Sequence, residues 1–131
     1  MNNDAGKMVR EVLESLGHIN RAFRDTATKL ERLPQVENTV TALEVMSYEN
    51  GPSIEGYIDA ELKGGSGISW RFDVRWDADS WNIRGTLERN SASGNEVVQR
   101  VPPENVTQIV QLPEALTRMA QRLLELRSEE L

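Results

Sequence analysis

The eight residues from Ser69 to Trp76, SWRFDVRW, restrict the fold more than any other stretch of the chain. Trp70, Phe72, Val74 and Trp76 are large and apolar, and Arg71, Asp73 and Arg75 between them are charged. A period of two places successive side chains on opposite faces of a strand. The segment therefore demands a sheet with one dry face and one wet face. A lone strand buries neither, so it needs neighbours in the sheet and a second layer over the apolar side.

The neighbours are present. Thr39 to Glu49, Ile54 to Lys63, Ile68 to Trp76, Trp81 to Arg89 and Glu96 to Val101 read as five strands. Between them lie NGPS, GGSG, DADS and NSASGN, all turn chemistry. Connections this short join antiparallel neighbours, which predicts a meander. Pro102 and Pro103 are expected to end the last strand.

Apolar parity combined with charge suggests registers. The loop KGGSG pairs Leu62 with Ile68, Ala60 with Trp70, Ile58 with Phe72 and Ile54 with Trp76, setting Asp59 against Arg71 and Glu55 against Arg75. A four-residue DADS loop pairs Trp76 with Trp81, Val74 with Ile83, Phe72 with Gly85 and Asp73 with Arg84. A slip of one residue would destroy these pairs. No register for Glu96 to Val101 makes both faces consistent.

Two amphipathic helices supply the cover. Asn3 to Leu33 carries Val9, Val12, Leu16, Ile19, Phe23, Leu30 and Leu33 at helical spacing, and Pro34 closes it. At ~1.5 Å per residue this helix is roughly 45 Å long. The second helix, Pro113 to Glu129, carries Leu112, Leu116, Met119, Leu123 and Leu126. The segment from Glu104 to Gln111 reads equally as a helical turn or an extended connection. The predicted fold is an α+β two-layer sandwich: N-terminal helix, five-stranded antiparallel meander, C-terminal helix, both helices on one sheet face. Residues 1–131 are expected to form a single domain of this kind, the size at which one core suffices.

Composition narrows the function. The chain has no cysteine, which excludes disulfides, thiolate metal sites and cysteine nucleophiles. A net charge of −6 lacks the basic footprint of a nucleic-acid binder. The opening MNNDAGKMVREVLE is too charged for a signal peptide, and no stretch is apolar enough to span a bilayer. A cytoplasmic protein with no nucleic-acid and no membrane partner is the expectation.

No constellation names a reaction. His18, the one histidine, falls off the apolar stripe of the first helix and is expected to be exposed, without the shielded partner a general base requires. KGGSG, Lys63 to Gly67, joins two strands and opens no helix, so it is a hairpin tip and not a phosphate loop. Asp77 and Asp79 in WDADSW lack the further oxygen ligands of a calcium loop. Glu55, Asp59 and Glu61 near Arg71, Asp73, Arg75 and Arg84 form a solvated charge lattice without the cleft that acid–base chemistry needs. No catalytic residue, metal or cofactor is expected, and an enzyme is the least favoured class.

The first strand, TVTALEVMSYE, breaks the pattern. With Asn50-Gly51 as a two-residue turn, Leu43 pairs with Ile58 and Val45 with Gly56 on the dry face. Val40, Ala42, Met46 and Tyr48 then emerge on the wet face beside Tyr57, an apolar strip on an edge strand. The opposite parity hides that strip but buries Glu44. The stripe of the first helix also has heptad character, which suits packing on its own sheet at one half and on a second copy at the other.

Size, acidity and helix–meander–helix layout are similar to those of secretion chaperones and toxin-immunity proteins, a likeness of layout that no shared motif accompanies. The expected function is a non-enzymatic protein-binding module, homodimeric, with Val40, Ala42, Met46, Tyr48 and Tyr57 as the partner-binding surface. The alternative is a small apolar-ligand carrier whose cavity between helices and sheet is lined by Trp70, Phe72, Trp76 and Trp81.

Overall fold

The computed structural model describes residues 3–49 and 51–131, with the side chains of 3–5 and of Tyr48 outside the description. Helix α1 (Asn3–Glu31) leads into strands β1 (Val36–Tyr48), β2 (Gly51–Leu62), β3 (Gly67–Asp77), β4 (Ser80–Ser91) and β5 (Gly94–Val106). A 3-10 turn (Ile109–Gln111) and helix α2 (Leu112–Glu125) follow. The sheet order is β1-β2-β3-β4-β5, antiparallel throughout. This is the predicted α+β arrangement, with α1 laid on β1 and β2 and α2 on β3 to β5.

The dry face is the expected one. Ile58, Ala60, Leu62, Ile68, Trp70, Phe72, Val74, Ile83 and Leu87 are buried under Ile19, Phe23 and Ala27 of α1 and under Leu112, Leu116, Met119 and Leu123 of α2. The Phe23 ring meets Phe72 edge-on, with centroids 6.4 Å apart.

Registers divide by hairpin. β3 and β4 pair as predicted, including Trp76↔Trp81, Phe72↔Gly85 and Asp73↔Arg84. The loop is tighter than the expected four residues, because Asp77↔Ser80 extends the ladder and leaves Ala78 and Asp79 alone in the turn. Two other predicted registers are corrected by two positions. In the β2–β3 ladder Ala60 faces Ile68, Ile58 faces Trp70 and Gly56 faces Phe72. The loop is shorter than KGGSG: the Leu62 amide donates to the Ser66 carbonyl, and Gly65 takes the left-handed turn position with φ +91°. In the β1–β2 ladder Leu43 faces Gly56 and Val45 faces Ile54, because Tyr48↔Gly51 closes the hairpin. Gly51, at φ +127°, opens β2 instead of occupying the turn, and Asn50 lies outside the described residues.

Three element ends also differ. β5 continues through Pro102 and Pro103 to Val106, and the ladder steps from Gly85↔Val101 to Ile83↔Glu104, so both prolines fall in a bulge opposite Arg84. An edge strand tolerates missing amides on its solvent side. Helix α1 stops at Glu31, two residues before Leu33. Helix α2 stops at Glu125, short of Glu129, where Leu126 turns extended and its carbonyl accepts the Trp70 Nε1–H at 3.2 Å. The remaining tail crosses one end of the sheet. Gln99 Nε2 donates to the Arg127 carbonyl, Gln35 Nε2 to that of Leu131, and Arg89 pairs with Glu130. Among the described residues, the other end, beside the Tyr48↔Gly51 pair and the 78–79 turn, carries no such closure.

Candidate functional site

Two surfaces stand out. The first is the sheet face turned away from the helices. Alternation puts Val40, Ala42, Glu44 and Met46 of β1 beside Asp59, Tyr57, Glu55 and Ser53 of β2 in direct cross-strand pairs. Beyond them Arg71, Asp73 and Arg75 of β3 pair with Thr86, Arg84 and Asn82 of β4. Arg71 lies 5.2 Å from the Tyr57 ring centroid and 3.5 Å from Asp59 Oδ1. Arg75 bridges Glu55 at 3.6 Å and Asp73 at 3.2 Å, and Arg84 reaches Asp73 at 3.0 Å. The predicted Asp59–Arg71 and Glu55–Arg75 pairs thus form as diagonals. Beneath this lattice Ser69, fully buried, donates to Asp59 Oδ1 and accepts from Asn90 Nδ2.

Two hollows open on this face, of about 300 and 780 Å³, and Arg75 and Arg84 line both. The larger lies at the open end, between Gly51–Ser53, Asn82 and Pro103. Ser53 is buried there with no hydrogen-bond partner for its hydroxyl among the described residues. On the helix side, hydrogen bonding and charge attraction from Glu104 raise the pKa of Arg118, tying α2 to β5.

The structure brings the predicted strip together. Val40 is 45% exposed, Ala42, Met46 and Tyr57 are half-buried, and all share the β1–β2 half of this face. The side chain of Tyr48 lies outside the described residues. The aromatic set separates: Trp70 and Phe72 are core, while Trp76 and Trp81 meet edge-on, centroids 5.0 Å apart, toward the open end. His18 is exposed. Among the described residues no three His, Cys, Asp or Glu side chains converge as metal ligands.

Of the second surface, sequence reasoning named only the half of the first helix that carries Val9, and missed the rest. On the helix side of the open end, Val45 is 73% and Trp76 37% exposed although both belong to the apolar face. Helix α1 runs back along the sheet from β1, which brings its first turns toward the same end, and Val9 and Leu13 there are 59% and 61% exposed. The 3-10 turn after β5 adds Ile109 and Val110, also exposed. The signal available in the sequence was the length of α1. Where cover stops along a strand is decided by tertiary packing, which period two does not encode. No helix is long and apolar enough to cross a membrane. Compared with protein-family models, curated proteins and solved structures, the chain matches none.

Proposed function

We propose that this protein is a non-enzymatic protein-binding module that self-associates as a homodimer. The observation that carries the reading is the gathering of Val9, Leu13, Val45, Trp76, Ile109 and Val110, all exposed, at one end of an otherwise well-covered sheet. Exposed apolar patches of this kind mark protein interfaces. The seam Val9–Leu13, one helical turn apart, suits a second copy of α1, and Trp76 is the anchor type that interfaces favour. The strip Val40, Ala42, Met46 and Tyr57 on the opposite face is then left for a different protein. An acidic module with two such faces would escort or neutralise a basic partner.

Light scattering after size exclusion tests the reading. The wild type should run at twice 14.8 kDa. The double variant Val9→Asp/Leu13→Asp should run as a monomer. Val40→Asp/Met46→Asp should stay dimeric but lose proteins that the wild-type bait retains. A monomeric wild type whose captured proteins do not change in either variant removes the proposal.

A further inference from the structure

The two edges of the sheet are built differently. β5 is guarded by Pro102 and Pro103 and by two register shifts. β1 has no proline, and from Asn38 to Tyr48 its ladder is regular. Among the described residues no strand pairs with its outer side. Proteins ordinarily blunt such an edge, because its outward amides and carbonyls template another chain. The means left on β1 is charge, and the charge is all of one sign. β1 and β2 together carry Glu37, Glu44, Glu55, Asp59 and Glu61, with no Lys, Arg or His. Arg71 and Arg75 of β3 answer Asp59 and Glu55. Among the described residues Glu37, Glu44 and Glu61 have no ion-pair partner, and Glu44 stands directly opposite Glu55, a like-charge cross-strand pair.

We infer that β1 accepts a basic extended segment of another protein as a sixth strand, with Lys or Arg against Glu44 and apolar side chains against Val40 and Met46. The inference rests on the protein-binding reading and names its partner's chemistry. Main-chain hydrogen bonds along the edge give affinity and the alternating side chains give specificity. A second copy is the poorer occupant of this edge. Self-pairing of β1 places another strand of only acidic charge against Glu37 and Glu44 and adds no base.

The test uses the full chain and synthetic ten-residue peptides, with binding read by fluorescence anisotropy. One peptide alternates Lys with Val and Thr, and a second has Glu at each Lys. The Lys peptide should bind at least tenfold tighter than the Glu peptide, and Glu44→Lys should erase that preference. Two N-methylated forms of the Lys peptide, blocked at odd or at even amides, should differ at least tenfold, because only one set faces β1. Equal binding of the Lys and Glu peptides overturns the charge inference and leaves the protein-binding reading standing. Equal loss in both N-methylated forms overturns strand addition. If no peptide binds and Val40→Asp/Met46→Asp keeps every captured protein, inference and strip fall together.

Discussion

Phe72 occupies a row that explains how two helices reach one sheet. It faces Gly56 on β2 and Gly85 on β4. Both neighbours lack a side chain on the dry face, so the ring lies between two shallow places where the helices dock. A Cβ at Gly85 would come within 3.1 Å of Met119 Sδ, 3.4 Å of Val101 Cγ2 and 3.5 Å of Leu123 Cδ1. A Cβ at Gly56 would meet Leu43 Cδ1 at 2.7 Å and Phe23 Cε2 at 3.2 Å. The two sites differ in what can yield. At Gly56 the nearest atom is the end of the half-buried Leu43 side chain, beside the enclosed Phe23 ring, whereas at Gly85 the nearest side chain, Met119, is itself fully enclosed. Gly85→Ala should therefore cost about 1–3 kcal/mol by overpacking, and Gly56→Ala less. Urea denaturation of the two variants checks the order, and a Gly85→Ala protein as stable as the wild type would show that α2 is free to lift.

At the scale of elements, faces were legible in the sequence and registers only partly. Period two decides which side chains share a face, and β2, β3 and β4 kept the face their apolar residues predicted. A shift of two residues preserves that face, so parity is blind to it. Charge did not break the tie, because Arg71 and Arg75 reach Asp59 and Glu55 as readily along a diagonal as straight across. The turns decided instead: Gly65 takes a positive φ within one, and the Tyr48↔Gly51 pair closes the other. β5 runs past Pro102 and Pro103, where the sequence predicts its end, because an edge strand absorbs in a bulge the prolines that would stop a central strand. The β3–β4 turn carries an unspent gain. Ala78 at φ +47° and Asp79 at φ +76° sit where glycine and asparagine belong. Replacing the pair, Ala78→Asn with Asp79→Gly, should stabilise the protein by about 1 kcal/mol, since each left-handed non-glycine residue costs on that order. A thermal midpoint that fails to rise would mean the turn is not under strain.

Across the whole molecule, the tail's tethers and the exposed apolar side chains of the open end lie in different places. The tail-closed end holds Trp70 bonded to Leu126 and the tail's links to Gln35, Arg89 and Gln99. The open end leaves Val9, Leu13, Val45 and Trp76 in water, and β1 leaves Val40. Apolar area held in water contributes nothing to the fold of one copy and is released only when a second chain covers it. Two kinds of substitution should then behave differently. Phe23→Ala empties a buried ring site and should cost about 3–5 kcal/mol at any protein concentration. Val9→Asp/Leu13→Asp touches exposed side chains and should change the stability of a single copy by no more than about 0.5 kcal/mol. Its effect should appear through mass action. A dimer that forms only from folded chains makes the wild-type denaturation midpoint climb with protein concentration. In the seam variant that climb should vanish, and at high dilution the two midpoints should meet. Midpoints that stay apart at every dilution would assign Val9 and Leu13 to the fold of one chain and take the self-association surface away from α1.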